Sequence, residues 1–285
     1  MKKVLIVGAD GFLGKSLISR ANDNLVCCMA TSRRQSAELF YDPLQHLDIP
    51  LKNVDAVIYC ISISSFVACE QQPSLSRAIN VEVPVSIARK CDQANICFIY
   101  PSSSSVFSGL RPFNSEKMPA DPQTTYGKQK YEAERELLKI KCAKILRLTK
   151  IIESSEPVFR AINLIGKNKA AELFGDLTCC PLSIDDACDA IYKIVKHYPD
   201  RQLFQLSGDK DMDYYSLVNS WMIDRKLQEN LLSRVSCEGI ANVNKKMNFS
   251  SLVNSDFFTK LDLPKYSSEQ AVYKFADCVY FQSKI

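Results

Sequence analysis

Tyr126 and Lys130 stand four residues apart in Thr124-Thr125-Tyr126-Gly127-Lys128-Gln129-Lys130, a spacing that puts both side chains on one face of a helix. A phenol beside an ammonium is a proton-transfer pair. The unperturbed phenol titrates near 10, and bringing it to about 7 takes roughly 4 kcal/mol of preferential stabilisation of the phenolate, at about 1.36 kcal/mol per unit. A neighbouring cation is expected to supply much of that. The tyrosine would then protonate the alkoxide that develops as a carbonyl is reduced, or take the proton from an alcohol in the reverse direction. Upstream, Phe98-Ile99-Tyr100-Pro101 runs into Ser102-Ser103-Ser104-Ser105, and one of these serines is expected to hydrogen-bond the substrate oxygen.

A second group sits at the start of the chain. Gly8-Ala9-Asp10-Gly11-Phe12-Leu13-Gly14 follows the apolar run of residues 2–7 and opens a helical pattern. Glycine permits the tight turn, lets backbone N–H groups approach a pyrophosphate, and places the phosphates at a positive helix end. A dinucleotide is therefore expected there, and an oxidised nicotinamide would add its positive charge to that of Lys130. A free ribose 2′-hydroxyl calls for an acid about 20 residues further on, whereas a 2′-phosphate calls for arginine. That place reads Thr31-Ser32-Arg33-Arg34, with hydroxyls and guanidinium groups and no carboxylate to repel a phosphate. The expectation is NADP(H) over NAD(H).

These groups need a frame that brings residues 8, 32, 103 and 126 together. Apolar runs at residues 2–7, 25–30, 54–61, 96–100 and 144–148 alternate with helical patterns at 12–20, 76–91 and 124–141. Such alternation predicts an α/β fold, a Rossmann-type doubly wound parallel sheet whose crossovers are helices. Beyond Thr149 the rhythm changes. Residues 151–175 read as irregular, 184–197 as a helix, and 203–207 as a strand that returns to the sheet. Helices follow near 214–224 and 267–281, with a segment at 248–263 between them. The domain expectation is a dinucleotide-binding unit of residues 1–150 with return segment 185–208, and a smaller C-terminal substrate-binding lobe of 151–184 and 209–285.

Composition narrows the class. Hydrophobic residues make up 46% and charged residues 24%, which fits a folded globular chain and excludes disorder. Thirty-six basic against 32 acidic residues leave +4, too small and too scattered for a nucleic-acid stripe. Twelve cysteines with no C-x-x-C, and two distant histidines, His46 and His197, give a zinc site almost nothing to build from. The cysteines read as reduced thiols and no metal is expected. No apolar run approaches the roughly 20 residues of a membrane span, so the chain is expected to be cytoplasmic, without a membrane or nucleic-acid partner. A homodimer is left open.

With the glycine loop, the serine-rich strand end and Tyr126-x-x-x-Lys130 in this order, the chain resembles the extended short-chain dehydrogenase/reductase family, within it the dTDP-4-dehydrorhamnose reductase-like nucleotide-sugar reductases. Val54 to Cys60, Ala68-Cys69-Glu70, Ala78 to Val81, Val106 to Gly109 and Pro122 to Lys130 carry the same resemblance, which covers most of residues 1–150. It implies Ser103 as the catalytic hydroxyl, three residues before the valine of Val106-Phe107, with Tyr126 and Lys130 completing the catalytic set. Ser105 is the implied auxiliary hydroxyl on the substrate. For the cofactor it implies Gly8, Asp10, Gly11, Phe12, Leu13, Gly14, Ser32, Arg33, Arg34, Asp42, Cys60, Ile61, Tyr126 and Lys130, Asp42 lying toward the adenine or capping a turn. Relatives that dehydrate nucleotide sugars carry Asp-Glu after the catalytic hydroxyl, where this chain has Ser104 and Ser105. Two places depart from the family pattern: Gln129 replaces the usual Ser or Thr, and Ile61-Ser62-Ile63-Ser64-Ser65 replaces an Ala-rich loop.

The function implied is NADPH-dependent reduction of a nucleotide-linked keto-deoxy sugar. The alternatives are a nucleotide-sugar epimerase and a non-catalytic NADP-binding regulatory subunit. Asn80 is expected to support the active-site helix without touching substrate. Asp185 and Asp186 are read as a helix N-terminal cap, and Tyr214, Tyr215 and Trp221 as core.

Overall fold

A computed structural model describes the chain except residues 25, 35–38, 46–47, 153–155, 239–247, 262, 264–266 and 284–285. His46, Leu25 at the head of its apolar run, and part of the 248–263 segment therefore lie outside the described residues. In the N-terminal half, β1 (Lys2–Val7), α1 (Phe12–Ser19), β2 (Val26–Thr31), β3 (Ala56–Tyr59), α2 (Phe66–Gln71), α3 (Pro73–Arg77), α4 (Val83–Gln93), β4 (Cys97–Ser103), α5 (Thr125–Leu137) and β5 (Ala143–Leu148) follow one another. The helix expected over 76–91 is divided. Between α3 and α4 the chain makes a π-helical turn at Ala78–Glu82, a rare geometry that is frequent at functional sites.

After β5 come β6 (Lys150–Ile151), α6 (Pro157–Gly166), β7 (Ala171–Phe174), β8 (Thr178–Cys179), β9 (Pro181–Leu182), α7 (Ile184–His197) and β10 (Leu203–Leu206). The chain continues through β11 (Met212–Asp213), α8 (Tyr214–Asp224), β12 (Leu232–Val235), α9 (Asp256–Lys260) and α10 (Gln270–Gln282). Residues 151–175 are thus more regular than expected. Pro157 starts α6 at a position where its missing N–H costs nothing, and Val158, Ala161, Ile162 and Ile165 form its buried stripe.

Six strands form one parallel sheet in the order β10-β5-β4-β3-β1-β2. Both faces are covered, so the strands are apolar throughout and the period of two sorts their residues between two cores. Val4 and Ile6 of β1 pack in one core with Ile58, Ile99 and helix α7; Leu5 and Val7 pack in the other with Val57, Phe98 and helix α4. The chain leaves β1 toward β2 on one side and returns to β3 on the other. That reversal opens a crevice at the carboxyl ends of β1 and β3, where ligands of open α/β sheets bind.

A third core joins α6, β7, α8 and α10 around Trp221 and Leu217. Trp221 is fully buried and donates its indole N–H to Asp277 at 3.0 Å. Helix α9 turns back toward the main sheet, where Phe257 and Phe258 pack on Phe204 of β10 with ring centroids 5.1 and 6.0 Å away. In α7 the N-cap is Ser183, whose hydroxyl accepts from the Asp185 N–H; Asp185 and Asp186 occupy the first turn, not the cap position. No helix is long and apolar enough to cross a membrane, and no metal-binding cluster occurs among the described residues. No disulfide joins any of the cysteines.

Candidate active site

The glycine loop lies where the crevice opens. Gly8 has φ of +94°, a conformation that L side chains rarely adopt, and a Cβ on Gly14 would stand 2.4 Å from the Gly8 carbonyl oxygen. Glycine at 8 and 14 thus lets α1 start directly against the end of β1. The N-cap of α1 is Gly11, with no side-chain cap and no acid in the first turn. That cradle fits a dinucleotide pyrophosphate, because the turn presents N–H groups and positive dipole with no side chain in the way.

Next to the loop, the Ser32 hydroxyl donates to Asp10 and accepts from the Arg34 N–H at 3.0 Å; the Arg34 guanidinium lies 3.4 Å from the Asp10 carboxylate. The expectation of no carboxylate near the arginines is therefore corrected. Asp10, 22 residues upstream of Ser32, is folded onto them by the turn after β1. Arg33 and Arg34 are exposed. Asp42 uses its carboxylate to accept from the Leu44 N–H at 3.0 Å, which closes a turn.

A cleft of about 880 Å³ runs from Gly11, Phe12 and Leu13 past Cys60 and Ile61 to the ends of β4 and α5. Ser103, Ser105, Tyr126 and Lys130 all line it. Thr124 caps α5 by accepting from the Gly127 N–H at 3.0 Å, so the first turn delivers Tyr126 to the cleft. Gly127 is needed for the approach: a Cβ there would stand 2.1 Å from the Ser105 carbonyl oxygen. Ser103 ends β4 and donates to the Ser105 hydroxyl at 3.1 Å while accepting from the Ser105 N–H at 3.1 Å. Lys130 is 3% exposed and donates to the Pro101 carbonyl at 3.0 Å. Its nitrogen lies 4.3 Å from the Tyr100 ring centroid and 5.8 Å from that of Tyr126.

Burial dominates the protonation of both groups. It pushes the Tyr126 phenol up to about 12, against the hydrogen bonding of Ser103 and Ser62. It pulls the Lys130 ammonium down to about 7, against the charge of Glu134. The sequence-based expectation of a phenol made acidic by its lysine is thus reversed in the protein alone, because desolvation, which penalises the charged form, is the largest influence on both groups.

Several residues of the site were not anticipated. Glu134 continues the spacing of four from Tyr126 through Lys130, a signal present in the sequence. Its carboxylate is 1% exposed, pairs with Arg147 of β5 at 2.6 Å, and accepts from the Ser102 hydroxyl at 2.6 Å. Lys130 and Glu134 therefore grip Pro101 and Ser102, the two residues before Ser103. Asn80 behaves as expected, bonding the Ile63 backbone and Gln129 and standing back from the cleft. Tyr214 lines the cleft with Thr178 and Ser250, whereas Trp221 is core and Tyr215 lies 4.8 Å under Arg234. No sequence signal links residues 178, 214 and 250; the pairing of β8 with β11 sets Thr178 beside the start of α8, and Ser250 is held there by accepting from the Cys180 N–H at 2.7 Å and donating its own N–H to Asp211 at 2.6 Å.

Comparison with known proteins gives the family and the fold of the chain. The RmlD substrate binding domain family matches residues 1–280. Among curated proteins, the chain is 30% identical over 156 residues to a probable low-salt glycan biosynthesis reductase of Haloferax volcanii, a match covering 50% of this chain and 52% of that protein. It is 27% identical over 144 residues to methionine adenosyltransferase 2 subunit beta of Pongo abelii, covering 48% and 43% respectively. The chain thus spans about half the length of the curated relatives it matches. In three dimensions it is similar to a dTDP-4-dehydrorhamnose reductase of Bacillus anthracis solved in complex with NADP, with a TM-score of 0.82 at 20% identity over 96% of this chain and 98% of that one.

Proposed function

The chain belongs to the RmlD substrate binding domain family, and from that premise we propose that it is an NADPH-dependent reductase of a nucleotide-linked keto-deoxy sugar. The observation that carries this reading is the convergence of Tyr126, Lys130 and Ser103 on the cleft that begins at the glycine loop. Gly8, Gly11, Gly14 and the first turn of α1 would hold the pyrophosphate, with Phe12, Leu13, Cys60 and Ile61 beside it. Ser32, Arg33 and Arg34 would take the 2′-phosphate, and Asp42 the adenine end. When bound, this cofactor supplies hydride to the keto carbon. Tyr126 gives its phenolic proton to the oxygen, which becomes the alcohol; Ser103, steadied by Ser105, hydrogen-bonds that oxygen; Lys130 stabilises the phenolate left behind until solvent returns its proton. The NADP in the Bacillus anthracis structure supports a nicotinamide dinucleotide. The preference for NADP(H) rests on Arg33 and Arg34 against the counter-charge of Asp10.

The test is NADPH oxidation against a panel of nucleotide-linked keto sugars. At least one should give a substrate-dependent rate that falls by about 10²–10⁴ in Tyr126→Phe; a rate indifferent to that change overturns the catalytic assignment. A second reading is favoured by the similarity to methionine adenosyltransferase 2 subunit beta. It is a non-catalytic, NADP-binding subunit of another enzyme. Saturable NADP binding with no turnover of any keto sugar, and co-purification with a partner enzyme whose activity changes on mixing, would select it.

A further inference from the structure

The two departures from the family pattern, Gln129 and the loop Ile61–Ser65, meet through one buried side chain. Asn80, on the π turn, donates from Nδ2 to Gln129 Oε1 at 2.9 Å and to the Ile63 carbonyl at 3.0 Å. Its Oδ1 accepts from the Ile63 N–H at 2.9 Å and from the Ser62 hydroxyl at 3.0 Å. Both amide protons and both oxygen lone pairs are engaged, which fixes the orientation of the group. Gln129 is held in turn, donating to Ser76 Oγ at 2.8 Å and to the Pro73 carbonyl at 3.2 Å. A serine at 129 would be too short to bridge α5 to Asn80 and Ser76 together. Ser62 and Tyr126 line the same cleft.

We propose that Gln129, Asn80 and Ser62 form one hydrogen-bond chain that brings a second hydroxyl, beside Ser103, to the Tyr126 oxygen, making Ser62 and Gln129 positioning residues for its proton transfer. The inference rests on the reading of Tyr126 as proton donor. In the resting state the Ser62 proton goes to Asn80 Oδ1, which leaves a Ser62 lone pair for the phenol O–H. Once the phenol has given up its proton, the Ser62 hydroxyl turns its own proton to the phenolate, and Asn80 Oδ1 keeps the Ile63 N–H. Hydrogen bonds exchange and no covalent bond of the chain is broken. Hydrogen bonding by Ser62 favours the ionised phenol, in the same sense as Ser103. The ionisable groups around the phenol are Lys130 on α5, Cys69 and Glu70 on α2, and Tyr100 on β4.

Replacing Tyr126 by 3,5-difluorotyrosine, a more acidic phenol, and following it by ¹⁹F NMR gives a titration midpoint without substrate or cofactor. In that background Ser62→Ala should raise the midpoint by about half to one pH unit, the worth of one hydrogen bond to the ionised form. Gln129→Leu should move it the same way, and Ser62→Thr should restore it. The double variant Ser62→Ala/Gln129→Leu should shift no further than Ser62→Ala, because both act along one chain. An unmoved midpoint in Ser62→Ala, or a double shift equal to the sum of the singles, overturns the chain. Should Gln129→Leu fail to fold, Ser62→Ala and Ser62→Thr decide it, since Ser62 is at the surface of the cleft. No turnover is measured, so a wild-type protein that reduces no keto sugar would defeat the reductase reading and leave these midpoints readable.

Discussion

At the residue scale, Lys130 is an ammonium with one hydrogen-bond acceptor, the Pro101 carbonyl, two aromatic rings, and burial that pulls it down to about 7. Its charge is therefore present below about pH 7 and lost above it. Since kcat/KM for NADPH reports the free enzyme, it is expected to fall as pH rises through about 7, and Lys130→Met should remove that limb while lowering the rate. A profile flat from pH 6 to 9 would contradict a role for the charge. Asp10 lies beside Arg34 on the surface, where an ion pair is worth about 0.2–1 kcal/mol. Asp10→Asn is thus expected to shift the ratio of NADP(H) to NAD(H) affinity toward NADP(H) by at most about fivefold, measured by fluorescence titration of both. A shift toward NAD(H) would mean that Asp10 does not oppose the phosphate.

At the element scale, α5 is fixed to β4 and β5 by two gripping side chains one turn apart. Lys130 takes the Pro101 carbonyl, and Glu134 takes the Ser102 hydroxyl and the Arg147 guanidinium. Arg147 also reaches Gln205 of β10 at 3.2 Å, and Gln205 donates to the Asn114 and Val253 carbonyls. Helix α5, the three strands β4, β5 and β10, and a late segment of the chain thus share one buried polar network. Glu134→Gln leaves a buried guanidinium without its counter-charge and is expected to cost about 3–5 kcal/mol in urea unfolding. The double change Glu134→Leu/Arg147→Met should recover much of this stability while leaving Ser102 without its acceptor. A loss below about 1 kcal/mol in Glu134→Gln would show that water reaches the pair. The spacing of Tyr126, Lys130 and Glu134 was readable in the sequence, since a helix places every fourth residue on one face. That Glu134 would meet Arg147 was not, because strand order alone puts β5 beside β4.

At the scale of the whole molecule, three cores meet around the cleft, and α9 ties the late part of the chain to the sheet by placing Phe258, 2% exposed, against Phe204. Phe258→Ala is expected to lower unfolding stability by about 3–5 kcal/mol, the range for a buried aromatic ring. The midpoint of urea denaturation checks it, and a change under about 1 kcal/mol would mean that α9 contributes little to the sheet core. The far wall of the cleft, with Thr178, Tyr214 and Ser250, comes from three separate stretches. Substrate selectivity is accordingly expected to follow residues that share no motif.

Glycine at 8, 11 and 14, the alternation of strand and helix through residue 148, and the spacing of Tyr126 and Lys130 were determined by the sequence itself, because each is a local constraint: a turn, a period, a helical face. The helix α6 also has a local signal, a proline start followed by a short apolar stripe. Only the tertiary structure decided that Asp10 opposes the arginines, that Asn80 joins Gln129 to Ser62, and that Tyr126 and Lys130 are shifted away from the charged forms first expected of them. Those outcomes depend on distances between groups remote in sequence and on how much water the fold removes from each, and the residue order states neither.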